Sequence, residues 1–238
     1  MNKYRNRSFY FGGVQMDTRL FIQAIGKYLF GILLFSILLF VPAGTLKYWN
    51  AWLLIAILFI PIFIVGLVLI INNPELLRKR LSAKEKEPDQ KSVILLGGLV
   101  FIFGFVVAGL DYRYQWLVLP KWLVIVACFI FLFGYLLYAE VLRENTYLSR
   151  IIEVQKNQKV IDTGMYGIVR HPMYLSTLFL FISMPIVLGS LFSFIVFLTY
   201  PAIIVKRIKN EEQVLEKGLE GYLEYKKRVR YKVFPLIW

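Results

Sequence analysis

His171 is the only histidine in the chain, and it lies in the stretch TGMYGIVRHPMY (163–174), between Arg170 and Pro172. Pro172 biases the residue before it toward extended backbone and suits the first turn of a following helix. The imidazole is therefore expected at a helix mouth, where free backbone N–H groups and the positive dipole end favour an anionic group such as a carboxylate. Gly164 and Gly167, which bracket Met165 and Tyr166, would let backbone approach a ligand closely. A second charged set occupies RIKNEEQVL (207–215), where Arg207 and Glu211 stand four apart on one helix face and Glu212 is adjacent. Taken singly, each residue has an ordinary explanation. His171 would be an interfacial polar group, Arg170 a positive-inside anchor, Tyr166 and Tyr174 belt aromatics, and the glutamates solvated ion-pair partners. A lone histidine with no second His or Cys nearby argues against a metal site.

The elements that position these residues are set by hydropathy. Of 238 residues, 58% are hydrophobic and 17% aromatic, and the mean hydropathy is +0.63, which describes a membrane protein. Apolar runs at 20–42, 49–71, 93–110 and 122–142 are read as spans, since an α-helix needs roughly 20 such residues to cross about 30 Å of hydrocarbon. The net charge of +13 does not point to nucleic acid, because the bases lie between the spans. With the N-terminus in the cytoplasm, inside segments carry twenty-four Lys and Arg, whereas outside loops hold only Lys47, Arg113 and Lys121. Lys27, within the first span, is close enough to its cytoplasmic end to snorkel. That span is too long for a signal-peptide core and is read as retained. Cys128, the single cysteine, excludes an intramolecular disulfide and is read as core packing.

The apolar segment 173–205 decides the architecture. As one straight helix its 33 residues would measure about 50 Å, far more than the bilayer core. LGSLFS (188–193) supplies Gly189 and Ser190 at its midpoint, which predicts a turn between two antiparallel helices. Each arm is slightly short for a full crossing, which leaves open whether the hairpin is kinked, meets thinned lipid or stops below the far surface. In every case its ends return to one side and bring His171 level with Arg207, Glu211 and Glu212. Pro61, Pro185 and Pro201 predict kinks.

Outside the hairpin, Glu140 is expected to pair with Arg143, and Asn145 follows shortly after. The stretch 72–92 is read as a solvated loop with a short helix after Pro74 and no chemistry. Leu215, Leu219, Tyr222 and Tyr225 recur at helical spacing and predict an amphipathic cover on the membrane face, with Trp238 as an interfacial anchor.

TGMYGIVRHPMY, the hairpin after it, RIKNEEQVL and the tail YLEYKKRVR…FPLIW together resemble the isoprenylcysteine carboxyl methyltransferase family and its relatives, the phospholipid N-methyltransferases, over about 143–238. The resemblance implies an all-helical membrane enzyme that uses S-adenosylmethionine without a Rossmann domain, and the chain has no G-x-G-x-x-G after a strand. It places Tyr166, Arg170, His171, Pro172 and Tyr174 on one side of a cytoplasm-facing cofactor pocket and Glu211 and Glu212 on the other, with Arg207 toward the methyl acceptor. Ser176 stands where the family often has glycine.

The expected fold is all-α, a polytopic bundle of about six transmembrane helices with a C-terminal hairpin and a cytoplasmic amphipathic tail. It divides into a four-helix region (1–142) and a cofactor-binding region (143–238). Arg207 and Glu211 are the expected catalytic residues. A lipidic carboxylate entering from the bilayer needs only an orienting cation, for which Arg207 has the geometry. A lipid amine would need a base, from Glu211, Glu212 or His171. Two rivals remain, an NADPH-dependent sterol-type reductase and a non-catalytic membrane protein. Nucleic acid, metal and an obligatory protein partner are not expected.

Overall fold

The computed structural model describes residues 8–11, 14–82, 88–149 and 151–238. Of the basic residues behind the charge asymmetry, Lys3, Arg5, Arg7, Lys84, Lys86 and Arg150 lie outside the described residues. The chain forms helices α1 (Thr18–Ala43), α2 (Trp49–Asn72), α3 (Pro74–Leu81), α4 (Pro88–Tyr114) and α5 (Lys121–Glu144). After an irregular stretch come α6 (Pro172–Val187), α7 (Leu191–Phe197), α8 (Tyr200–Gly218) and α9 (Tyr222–Arg228). Four helices and the combined stretch Leu191–Gly218 are long and apolar enough to cross a membrane, and α6 is a shorter apolar helix. Long apolar runs become helices because hydrocarbon offers no partner for a backbone N–H or C=O, so each segment must satisfy its own. One element departs from the all-α expectation. Strands β1 (Ser8–Phe11) and β2 (Val14–Asp17) pair antiparallel, with Ser8 opposite Asp17. The Gly-Gly between them is the usual mark of a tight hairpin, a signal that hydropathy alone passes over.

Polar residues fix where the helices begin and end. The Asp17 carboxylate accepts from the Arg19 N–H at 2.9 Å and caps α1, and Gly44, in the left-handed region at φ 67°, closes that helix. Asn73 caps α3 through the Leu76 N–H at 3.1 Å, with Pro74 in the first turn. Lys27 donates to the Leu81 carbonyl, so it ties the end of α3 to α1 rather than reaching outward. Pro61 and Pro185 sit inside α2 and α6. Pro201 instead lies in the first turn of α8. Its missing N–H interrupts the ladder, so the second arm breaks between Phe197 and Tyr200, where the sequence predicted only a kink.

The hairpin forms as expected, and it reaches the far ends of its neighbours. Its turn, with Gly189 at φ 76°, is held by polar groups at those ends. Tyr48 OH donates to the Leu188 carbonyl at 2.6 Å, and the Asn50 side-chain amide to that of Val187 at 2.8 Å. Ser190 Oγ donates to the buried Asp111 carboxylate at 2.6 Å, which also accepts the Leu117 N–H at 3.2 Å. A short arm tied at its tip is thus drawn across the whole bundle. α6 packs along α5, and α7 packs against α4. Phe105, Phe131 and Phe197, all wholly buried, fill the centre with Tyr48 and Leu54. Cys128 packs against this core.

Candidate functional site

At the opposite end from the turn, the irregular stretch 145–161, the 3₁₀ turn Gly164–Gly167, the mouth of α6, and helices α8 and α9 enclose a cavity of about 850 Å³, its open mouth included. Of the residues singled out from sequence, Tyr166, Arg170, His171, Tyr174, Arg207 and Glu211 line it. Pro172 and Glu212 stand behind its wall instead. Pro172 opens α6 and is buried.

Glu211 and Glu212 are neighbours on α8, and about 100° of helical rotation separates them. Glu212 turns away from the cavity, 4% exposed, into a cluster of cations. Its Oε1 accepts from Arg170 Nε at 2.8 Å and lies 3.2 Å from His171 Nε2. Its Oε2 faces Lys232 Nζ at 3.3 Å and Lys226 Nζ at 3.7 Å. Arg170 also directs Nη1 at the carbonyls of Val229, at 2.7 Å, and Arg230, at 2.8 Å. The backbone N–H groups of Arg170 and His171 donate to Tyr231 and Lys232 carbonyls at 2.9 and 2.8 Å. This buried network ties three distant pieces of chain together: the α6 mouth, α8 and the tail. Glu212, expected on the ligand side, spends its carboxylate on these cations behind the wall, whereas Arg170 lines the cavity while its Nε and Nη1 are engaged with the protein.

The other face of α8 carries the groups that the cavity can use. Tyr174 OH donates to Glu211 Oε2 and accepts from Arg207 Nε at 3.0 Å. The phenol thus stands between the arginine and the carboxylate and orients both. Tyr166 OH accepts from the Asn145 side-chain amide at 2.9 Å. Tyr225 OH donates to the Tyr166 carbonyl at 2.8 Å. Burial pushes the phenols of Tyr166 and Tyr225 above their ordinary range, so both stay neutral and act as hydrogen-bonding groups.

Gly164 serves a different neighbour from the one expected. Its φ is 49°, and a β-carbon there would lie 2.1 Å from Glu144 Oε1. That carboxylate accepts from Thr163 Oγ1 at 3.0 Å and from the Met165 N–H at 3.1 Å. The close approach is to the end of α5, not to a ligand. Gly164→Ala is expected to destabilise the protein by about 1–3 kcal/mol through backbone strain and the clash. A lowered thermal midpoint in detergent, partly recovered when Glu144 is also replaced by alanine, would show it.

Several wall residues were not identified from sequence as part of the site. Leu215, Leu219, Tyr222 and Tyr225 line the cavity, packed with Val154 and Val160. Their helical spacing was the available signal. It described a wall of the cavity, however, not a cover on the membrane face, because α8 ends at Gly218 and Gly221, at φ 80°, re-aims the chain into α9. Trp238 is partly buried. Its carbonyl accepts from the N–H groups of Lys232, Val233 and Phe234, and its ring packs near Tyr174, Ile204, Ile208 and Val233. The loop helix α3, given no chemistry, holds the cavity's rim. Arg80 donates to Tyr138 OH and, at 3.2 Å, to the Ser149 carbonyl. Glu140 pairs with Arg143 as expected, with Arg143 Nη2 donating to Oε1 at 2.6 Å.

Two comparisons with known proteins bear on this site. The Delta(14)-sterol reductase TM7SF2 of Mus musculus is 32% identical over 90 residues, 37% of this chain and 22% of that protein. The present chain thus matches about a fifth of that relative's length. Residues 114–217 match the family model described as Isoprenylcysteine carboxyl methyltransferase (ICMT) family. Because Tyr166, Arg170, His171, Tyr174, Arg207, Glu211 and Glu212 all fall within that match, the family to which the RHP motif pointed is the one the chain resembles over the stretch that builds its cavity.

Proposed function

We propose that the protein is an S-adenosylmethionine-dependent methyltransferase of the membrane, acting on the carboxylate of a lipophilic acceptor. The observation that carries this reading is the Arg207–Tyr174–Glu211 set, held on the wall of a cavity at one end of a helical bundle. The wall suits the cofactor's parts. Glu211 can accept from hydroxyl or ammonium groups, His171 can face its carboxylate, and Tyr166, Leu215 and Leu219 offer apolar surface for a flat base. When bound, S-adenosylmethionine supplies a methyl group already activated on a sulfonium, so the protein must chiefly position the partners and exclude water. Tyr174 fixes the rotation of the Arg207 guanidinium through Nε, and an Arg so held orients a carboxylate well. By the positive-inside bias, the cavity end faces the cytoplasm and the acceptor enters from the bilayer.

The match to a sterol reductase supports a second reading, in which the cavity takes NADPH. Equilibrium binding of labelled S-adenosylmethionine and of NADPH to the detergent-solubilised protein separates the two. Binding of S-adenosylmethionine alone is expected, and tight NADPH binding with none of the other would replace the proposal with the reductase. Incubating the protein and a membrane extract with isotopically labelled methyl donor, then mass spectrometry, identifies the acceptor and tells a methyl ester from a methylated amine.

A further inference from the structure

A second cavity, of about 800 Å³ with its open mouth included, lies at the other end of the bundle, around the hairpin turn. Two buried acceptors line it. Asp111, on α4, is 3% exposed, and its two donors, the Ser190 hydroxyl and the Leu117 N–H, belong to residues of the same wall. Asn50, on α2, is 7% exposed and gives its side-chain amide to Val187. Its carbonyl oxygen, 3.8 Å from where a Gly189 β-carbon would lie, takes no hydrogen bond from the described residues.

Holding the turn does not account for the charge. Tyr48 and Asn50 tie Leu188 and Val187 with neutral groups. Asp111 puts a carboxylate in the last turn of α4, where the carbonyl end of the helix dipole favours a cation. Both of its bonds come from neutral donors, and Arg113, on the same turn, lies over the Tyr114 ring instead. A buried carboxylate with no opposite charge is costly, and this one stands between two residues of a cavity wall. The wall also defines the cation it would take. Among the described residues no group of three or more His, Cys, Asp or Glu could hold a metal ion. The Asn50 carbonyl and the Asp111 oxygens call for N–H donors, of which a primary ammonium has three and a quaternary one none. Lys121, exposed on the same wall, opens α5, where the positive dipole end favours an anion. Trp49 and Val118, wall residues that are largely exposed, give the mouth an apolar edge.

We propose that this second cavity binds a zwitterionic group of the phosphoethanolamine type, its primary ammonium on Asp111 and Asn50 and its phosphate toward Lys121. The site is separate from the cavity between α6, α8 and α9 and does not depend on the methyltransferase reading. Kd values are measured by calorimetry on the delipidated, detergent-solubilised full chain, as wild type, Asp111→Asn and Lys121→Gln. The probes are short-chain phosphatidylethanolamine, its N-acetyl derivative, the matching phosphatidylcholine and free O-phosphoethanolamine. The wild type should bind phosphatidylethanolamine, and the N-acetyl and choline forms about tenfold more weakly or less. Asp111→Asn keeps the shape and an acceptor for the Leu117 N–H, and it should bind phosphatidylethanolamine about thirtyfold more weakly. Lys121→Gln, a change at the rim, should weaken it about threefold. Binding of O-phosphoethanolamine as well would make the ligand a soluble zwitterion, and binding of the lipid alone a membrane headgroup; either result supports the site. A wild type that binds none of the probes, or that binds the N-acetyl form as well as its parent, overturns it. Wild-type affinity for phosphatidylethanolamine in both variants also overturns it, because the ligand would then sit elsewhere. Should Asp111→Asn fail to fold, the wild-type preference and the exposed Lys121→Gln position decide.

Discussion

Glu212→Ala is expected to cost the protein about 3–5 kcal/mol and to loosen the whole cavity end of the bundle. The carboxylate is buried against Arg170 Nε at 2.8 Å and His171 Nε2 at 3.2 Å, with Lys232 at 3.3 Å behind them. Removing it leaves the Arg170 guanidinium, whose side chain is 4% exposed, as a buried charge with no opposite charge, and stranding one partner of such a pair is costly. Glu212→Gln keeps the shape and one acceptor oxygen and should recover part of the loss. Pairing Glu212→Leu with Arg170→Met should recover more, because an apolar pair of similar volume carries no desolvation penalty. Thermal midpoints in detergent, without ligand, check the series. A Glu212→Ala protein with an unchanged midpoint and lost cofactor binding would mean that the carboxylate serves the ligand after all.

Arg207→Ala is expected to lower turnover by about a hundredfold or more while cofactor binding changes little, because a group that orients the acceptor acts on the reacting geometry. Arg207→Lys keeps the charge but not the planar fork, so it should restore only a fraction of the activity. Tyr174→Phe removes the hydroxyl that accepts from Arg207 Nε at 3.0 Å and donates to Glu211. It should give an intermediate loss, about tenfold, because the Nε contact that orients the guanidinium is gone. Steady-state rates with the identified acceptor, beside cofactor Kd values, separate the two effects. Wild-type methylation by Arg207→Ala would remove this residue from the reaction.

Much of this molecule is legible in its residue order. The spans follow from apolar length, and α1, α2, α4 and α5 begin and end within a few residues of the hydropathy reading. The hairpin follows from a length that one crossing cannot use and from a glycine at its midpoint. That fold-back makes neighbours of His171 and Glu212, 41 positions apart. The paired strands Ser8–Phe11 and Val14–Asp17 were not expected, because hydropathy reads spans and not a short strand pair.

Which way each polar side chain points was settled elsewhere. Glu211 and Glu212 are chemically identical neighbours, and only the rotation of α8 against the α6 mouth sends one into the cavity and the other into the Arg170 network. Periodicity gives a helix its faces, but the partner of each face depends on packing against segments distant in sequence. The same holds for Tyr222, which read as membrane-facing until Gly221 re-aims the chain and turns it inward. The amino-acid order determined the helices, their fold-back and the residues gathered at one end, because hydropathy and chain length act locally. Tertiary structure decided which of those residues are structural and which face the cavity, because that choice rests on long-range packing and on buried charge seeking its partners.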